Sequence, residues 1–351
     1  SDLLCSANPL STQDDVAAAL VLEDGVEVRA RRGESLDTYV EHVLALLRTA
    51  DGPGPEITLD DGADLLITAH ARGGEVLDGL IGGTEETTTG LVRLRRLEDE
   101  GTLRCPVLAL NEARTERALN DRHGTGQSAL DGIVRATNVL LAGNTVVVIG
   151  YGWAGLGVAE RARGAGAAVI VCEVDAVAAL EARMEGYQVM SALQAAPVGE
   201  VFVTVTGAPD VLRGEHFALM RDGAVLANAG HFDVEISLGE LAAVASGPPR
   251  EVLPLVDEYV VDGRRLHLVA KGRVVNLAAA AGHPASVMDL SFAAQALSVA
   301  AIVASGERPQ PGLHAVPPSI DQEVARLKLA TLGIEIDVLS LDQERYLRPF
   351  R

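Results

Sequence analysis

The stretch Thr145-Val-Val-Val-Ile149-Gly150-Tyr151-Gly152-Trp153-Ala154-Gly155 constrains the fold more than any other. A β-branched run enters a glycine-rich turn and leaves it as an apolar helical segment. A second apolar run, Ala167–Cys172, then ends on the acid Glu173. This spacing predicts strand, phosphate-facing turn, helix and strand, the first half of a dinucleotide-binding unit. Gly150 supplies the tight turn, Gly152 lets the backbone approach a pyrophosphate, and Gly155 lets the helix pack closely on the strand. Glu173 lies 23 residues beyond Gly150, at the spacing of a ribose-binding carboxylate. A carboxylate there repels a 2′-phosphate, and no Arg follows in Val174-Asp175-Ala176, so the expected cofactor is NAD rather than NADP.

The 351 residues suffice for two domains, and 48% hydrophobic content with only 3% aromatics points to cores of Ala, Val and Leu. A net charge of −20 argues against nucleic acid as a partner, because a phosphate backbone needs basic surface. Cys5, Cys105 and Cys172 are too few and too scattered for a disulfide framework or a metal site, and no metal is expected. No apolar run is expected to reach membrane-spanning length, and no signal peptide is evident, so a cytoplasmic protein without a membrane partner is expected. The leading Ser hints at a processed or incomplete start.

Ser11-Thr12-Gln13-Asp14 reads as a cap for a helix over 15–22. Ile57-Thr58-Leu59-Asp60-Asp61-Gly62 reads as a strand ending in an acidic turn, and Gly82-Gly83-Thr84-Glu85-Glu86-Thr87-Thr88-Thr89-Gly90 gathers hydroxyls and carboxylates on one loop. A helix is expected over 128–141. Strands are expected at Val201–Val205, Ala224–Asn228 and Val274–Leu277, a long helix over 285–304, and a tail from Pro317 that alternates a helix with short strands. The fold class is therefore α/β, with a doubly wound nucleotide-binding sheet.

The motifs Leu59-Asp60-Asp61-Gly62, Glu85-Glu86-Thr87-Thr88-Thr89-Gly90, Asp131-Gly132-Ile133-x-Arg135-Ala136-Thr137, Gly150-Tyr151-Gly152, Asn228-x-Gly230-His231-Phe232-Asp233-x-Glu235-Ile236 and Gly282-His283-Pro284 resemble those of S-adenosyl-L-homocysteine hydrolases. The resemblance runs from about Cys5 to Tyr346. It implies a Rossmann-type NAD-binding domain over 126–283 and a discontinuous α/β substrate domain. The latter would start with 1–125 and be completed by a hinge and return helix over 284–315, with a C-terminal segment over 316–351. It also implies NAD that takes a hydride from the 3′-carbon of a ribose, so that the C4′ proton becomes acidic and the 5′ substituent leaves. On that reading Asp61 is the acid or base near C4′ and C5′, Glu86 holds ribose hydroxyls, and His231 and His283 lie near the sugar and the leaving group. His231-Phe232 matches a gate over the substrate channel. Thr87, Thr88, Thr89, Glu173, Thr206, Asn228, Gly230 and Asn276 belong to the NAD site.

Departures from the family pattern are equally specific. Glu116 stands where the family places a catalytic lysine, and Asn120 where it places the partnering aspartate. Asp121 replaces an asparagine that helps hold NAD, and Thr125 a cysteine near the nicotinamide. Only Lys271 and Lys328 are available to compensate, with Lys271 the closer candidate in motif position. The family's N-terminal His-x-Thr-x-Glu-Thr segment is not in this chain. Neither is the C-terminal extension whose Lys and Tyr reach a neighbour's NAD, which implies easier NAD exchange and allows a dimer beside the family's usual homotetramer. The expected function is an NAD-dependent nucleoside dehydratase or lyase acting on an adenine nucleoside, for example 5′,6′-dehydration of an adenine hexulose nucleoside in antibiotic biosynthesis. Hydrolysis of S-adenosylhomocysteine and a silent NAD-binding regulator are the alternatives.

Overall fold

The computed structural model describes residues 3–4, 9, 12–47, 54–304 and 309–347. Its larger sheet has eight strands, in the order Arg250–Leu253, Val256–Val261, Arg264–Val269, Ala224–Asn228, Val201–Thr204, Thr145–Ile149, Ala168–Cys172 and Gln188–Val189. The first two are antiparallel additions at one edge; the other six run parallel. Counted along the chain, those six follow the order 3-2-1-4-5-6 of a dinucleotide-binding sheet. The order reverses between Thr145–Ile149 and Val201–Thr204, which opens a crevice beyond their C-terminal ends. Val146, Val147, Val148, Val201, Phe202 and Val203 are all fully buried, as expected where helices cover both faces of a parallel sheet.

The smaller sheet, also parallel, runs Gly312–Ala315, Pro106–Ala109, Gly82–Glu85, Ile57–Asp60. Its edge strand Gly312–Ala315 arrives after the whole nucleotide-binding unit has been traversed, so the substrate domain is discontinuous. The register pairs Asp60 with Glu85, which sets the acidic ends of both strands side by side.

Glycine lets the two units meet. A Cβ on Gly157, in the helix Trp153–Gly164, would lie 1.8 Å from the Arg122 carbonyl oxygen, and one on Gly126 would lie 2.5 Å from the Gly157 carbonyl carbon. The nucleotide helix therefore packs backbone to backbone on the segment Glu116–Thr125. That segment is a ten-residue π-helix, a wide-turned form that is rare and concentrated at functional sites. Its start is held by Asp321 of the helix Pro318–Thr331, whose carboxylate accepts from the amides of Arg114 and Thr115.

Several local expectations are corrected. Val274–Leu277 does not form a strand: Val275–Ala278 is a short helix, and only an isolated bridge joins Val274 to Asn228. It is apolar because it packs against Gly132, where a Cβ would lie 2.6 Å from the Val275 carbonyl oxygen. The helix expected over 128–141 spans Gly126–Thr137 and ends at Asn138 in the left-handed region. The first long helix is Asp14–Glu23 with Gln13 at its N-cap and no side-chain cap; Ser11 lies outside the described residues, as does Cys5. Among the described residues after Pro317 there are helices, Pro318–Thr331 and Leu341–Leu347, but no strand.

The helix Ala285–Ala304 forms where expected, yet its 20 residues have mean hydropathy 1.8, enough by length and composition to cross a membrane. This corrects the expectation that no run approaches that length. Its side chains explain the apolarity: Leu290 and Ala294 pack with Leu110, Ile320 and Val324, while Ser291 and Gln295 on the same helix meet the acidic cluster described below.

Candidate active site

The crevice of the larger sheet has the features a dinucleotide needs. Gly150 has φ 102°, and a Cβ there would lie 2.8 Å from the Val205 carbonyl oxygen. On Gly155 a Cβ would lie 2.0 Å from the Gly150 carbonyl oxygen, whereas on Gly152 it would meet nothing within 4 Å. The first and last of these glycines thus close the turn, and the middle one faces open space. Gly152 caps the helix without a side-chain bond, which leaves amides directed at that space. Glu173 is ordered at the end of Ala168–Cys172 by the amides of Tyr151, Val174 and Asp175.

Thr206 and Gly207, at the end of Val201–Thr204, donate their amides to the buried carboxylate of Glu235, and Gly230 is required beside it because a Cβ would lie 1.8 Å from Glu235 Oε1. Asn228 is fully buried. It donates to the carbonyls of Phe232 and Gly272 and accepts from the amide of Gly230. Its amide thus shapes the loop rather than reaching outward. Two buried polar atoms do lack a partner, Thr89 Oγ1 and Asn276 Oδ1. Thr89 Cγ2 lies 3.7 Å from the Cβ position of Gly207, so the threonine loop of the smaller sheet faces the dinucleotide crevice of the larger. Open glycine backbone, an ordered ribose acid and unpartnered polar atoms together fit NAD. The three threonines separate in use: Thr87 donates its hydroxyl to Asp61, Thr88 donates to Asn111 Oδ1 at 2.6 Å, and Thr89 remains free.

The acidic cluster lies at the strand ends of the smaller sheet. Glu85 Oε1 accepts from the amides of Gly62 at 2.9 Å and Thr87 at 2.8 Å, tying both loop tips together and presenting Asp61 and Glu86 on either side. Gln295 Nε2 donates to Glu86 Oε2 at 2.8 Å. Glu116 is only 2% exposed: its Oε2 accepts from Ser291 Oγ at 2.8 Å and from Asn120 Nδ2 at 2.7 Å. Asn120 Nδ2 also donates to Ser291 Oγ at 2.5 Å, which closes a triangle between the π-helix and the long helix. Burial raises the carboxyls of both Glu86 and Glu116 above their ordinary value, and the neighbouring Glu116 adds to the rise at Glu86. Lys271, the candidate for compensation, is exposed and lies in a left-handed turn, and Lys328 is paired with Asp289.

Both histidines come to this cluster. His231 Nδ1 is 4.0 Å from Asp61 Oδ1, its ring stacks edge-on against Phe232, and a Cβ on Gly62 would lie 3.1 Å from its Nε2. His283 Nε2 is 3.1 Å from Thr125 Oγ1, and burial holds its imidazole below the ordinary value. The Cβ position of Gly124 lies 3.0 Å from the His283 ring and 3.2 Å from Asn120 Oδ1, so these groups converge on one spot. Asp121 is half-buried and lies near Asn111, the residue that also receives Thr88. Sequence reasoning assigned no role to Ser291, Gln295, Glu85, Glu235 or Asp321. The first two carried a readable signal, since two polar residues one turn apart on an apolar helix need buried partners.

Burial is the leading cause that raises the carboxyls of Asp60 to about 6, Asp121 to about 7, Glu85 to about 8 and Glu86 to about 9. Neighbouring acids add to each. A folded-state pKa above the unfolded value means the folded chain binds the proton more tightly, so stability is full at low pH and is lost as pH rises through the folded pKa. The buried histidines act oppositely but only below their ordinary value near 6.5. The NAD-free protein is therefore expected to lose thermal stability steadily from pH 7 to pH 9, followed by calorimetry; a flat or rising Tm over that window would contradict the assignment.

Residues 121–282 match the NAD-binding domain of S-adenosyl-L-homocysteine hydrolase, and residues 3–76 match S-adenosyl-L-homocysteine hydrolase itself. The chain is 52% identical to the adenosylhomocysteinase of Aquifex aeolicus, across 98% of this chain and 81% of that protein. It is 49% identical to the S-inosyl-L-homocysteine hydrolase of Methanocaldococcus jannaschii, across 99% and 82% respectively. The chain belongs to the S-adenosyl-L-homocysteine hydrolase family. It is an NAD-dependent enzyme of that family, with the Rossmann-type domain and separate substrate domain that the resemblance implied. Both relatives carry the names of hydrolases, which backs hydrolysis over the dehydration expected from sequence.

Proposed function

We propose that this enzyme acts on an adenine nucleoside by transient oxidation of a sugar hydroxyl, removal of the adjacent C–H proton and elimination of the neighbouring substituent, with net loss of water as the outcome. The observation that carries this reading is the buried acid pair of Glu86 and Glu116, which puts two carboxyls, that of Glu86 held protonated at neutral pH, where the family pattern has a lysine. NAD, held by Gly150, Gly152, Gly155, Glu173, Thr89 and Asn276, supplies the acceptor and donor of hydride. Asp61, oriented by Thr87, takes the C–H proton. Departing hydroxide needs a proton as it leaves, far more than a thiolate does, since thiols have pKa about 8.5. Glu86, its carboxyl held protonated at neutral pH by burial, supplies it. His231 and His283 line the leaving-group side, and the exposed Phe232 edge makes His231-Phe232 the gate.

A second reading is hydrolysis of an S-nucleosidyl homocysteine, in which water adds after elimination. Its support is the names and close identity of the relatives, which favour it more directly than any of them favours dehydration. One experiment separates the two: the NAD-loaded protein is incubated with a panel of adenine nucleosides and S-adenosylhomocysteine, in water and in D₂O, and products are followed by mass. Loss of one water with no carbon-bound deuterium in the product is expected, because the C–H proton taken by the base is not replaced and the hydride returned is the one removed; cleavage to adenosine carrying deuterium on the reprotonated carbon, as the sole reaction, would establish hydrolysis instead.

The same proposal includes domain boundaries at 125/126, 283/284 and 315/316, supported by the return of Gly312–Ala315 to the first sheet. It includes a homo-oligomer, dimer or tetramer, supported by the exposed apolar side chains Phe292, Ile336 and Val338, and a cytoplasmic location, supported by the free, buried thiol of Cys172.

A further inference from the structure

Three buried acceptor atoms around Glu116 have no hydrogen-bond partner: Glu86 Oε1, Glu116 Oε1 and Asn120 Oδ1. Asn120 Nδ2 divides its two protons between Glu116 and Ser291, Ser291 Oγ gives its proton to Glu116, and Gln295 serves Glu86. A sugar hydroxyl bound at Glu116 Oε1 therefore meets an acceptor, with the neutral Glu86 carboxyl beside it, where a site built around an ammonium group would offer a charged donor.

The two carboxyls are not equivalent. Glu116 Oε2 is saturated by two donors, whereas Glu86 has one, so the negative charge of the pair rests on Glu116 and the proton on Glu86. Saturation of Oε2 leaves Oε1 as the basic oxygen of Glu116, fixed by bonds to two different helices and not by a flexible stem. We propose that Glu116 is the general base that takes the proton of the sugar hydroxyl during its oxidation and gives it back at the final reduction, with Ser291 as its positioning residue. This rests on the oxidation–elimination reading above and assigns its first and last steps.

The balance closes. The O–H bond breaks with its proton passing to Glu116 Oε1. The C–H bond of the same carbon breaks with its electron pair leaving as hydride to the nicotinamide, and the C–O bond becomes a carbonyl. On return, hydride comes back to carbon and the proton comes back from Glu116 to oxygen, so the base is regenerated within each turnover. Burial leaves the Glu116 carboxyl above its ordinary value; besides Glu86, the charged groups facing it are Asp121 on its own helix and Asp321 from the helix Pro318–Thr331, both acids that oppose its ionisation further. The bonds from Ser291 and Asn120 counter them.

The test uses the intact NAD-loaded protein and the nucleosides of the panel above. Nicotinamide reduction is followed by its absorbance, nucleoside affinity by calorimetry, and NAD affinity by the fluorescence of Trp153, the only tryptophan in the chain. Glu116→Gln keeps shape and burial. It is expected to slow reduction about 1000-fold, in the range for a lost general base, while both affinities stay within about tenfold. Ser291→Ala is expected to leave reduction possible but to move the acid limb of its pH profile up by about one unit, because Glu116 loses a donor to its charged form. A merely structural Ser291 would lower stability without moving that limb. Reduction by Glu116→Gln at the parent rate, or an unmoved limb in Ser291→Ala, overturns the proposal and leaves the oxidation reading intact. Failure of the unaltered protein to reduce NAD with any nucleoside overturns that reading, and the role of Glu116 with it.

Discussion

A Glu116→Lys, Asn120→Asp double variant is expected to gain hydrolysis of S-adenosylhomocysteine by about 100-fold or more over the parent chain and to lose dehydration. The substitutions restore the cation and carboxylate of the family pattern at two positions that touch each other through Asn120 Nδ2 and Glu116 Oε2. Lys at 116 places a donor and a positive charge where alkoxide character develops, and electrostatic stabilisation of that kind contributes several kcal/mol, of which about 2.7 kcal/mol suffices for 100-fold. It also sits beside Glu86, whose carboxyl then loses its like-charged neighbour and ionises more readily. Single changes are expected to do less than the pair, since Glu116→Lys alone lacks its acid and Asn120→Asp alone faces Glu116 across a hydrogen bond that becomes a repulsion. Release of homocysteine, measured with a thiol reagent, checks the result. No gain in a double variant that still binds NAD would show that these two positions do not divert the chemistry.

Gly155→Ala is expected to weaken NAD binding by at least about 100-fold. The added methyl would lie 2.0 Å from the Gly150 carbonyl oxygen, and a backbone atom cannot swing aside as a long side chain can. The turn must open, so Gly150 loses the conformation at φ 102° that aims the following amides, and the helix Trp153–Gly164 moves off its strand. Overpacking of this type costs about 1–3 kcal/mol of stability as well. Trp153 sits at the first helical position after Gly152, which makes its fluorescence a direct report of NAD titration. Gly152→Ala is the comparison: its Cβ meets nothing within 4 Å of protein, so the free protein should keep its stability while a pyrophosphate finds the approach obstructed. Equal NAD affinity in Gly155→Ala and the parent would refute this account of the turn.

Most of the dinucleotide site was legible in the residues. Gly150 and Gly155 close the turn and Gly152 faces open space, as their spacing suggested, because a glycine's role depends on steric contacts within a few residues and one strand crossing. Glu173 was legible for the same reason: its bonds go to Tyr151, Val174 and Asp175, all local to one βαβ unit. The strand at Val274–Leu277 was misread because a short apolar run looks alike as strand or helix, and the contact that decides it, with Gly132, is remote in sequence. Asn228 was assigned to NAD, yet its amide is consumed by Gly230, Phe232 and Gly272. No pattern in the sequence shows which polar side chain the fold has already satisfied.

The sequence by itself determined the family, the α/β class, the NAD turn and the anomaly at Glu116 and Asn120, since each is a matter of residue type at a fixed local spacing. Only the tertiary structure decided what that anomaly is. Ser291 reaches Glu116 across 175 residues and Gln295 reaches Glu86 across 209, and Asp321 fixes the start of the π-helix across 206. Burial and the neighbouring Glu116 then raise the Glu86 carboxyl to about 9. The physical reason is that hydrogen bonding and desolvation depend on which atoms lie within about 3 Å of one another, and chain order does not specify that until the sheets have formed and the helices have packed.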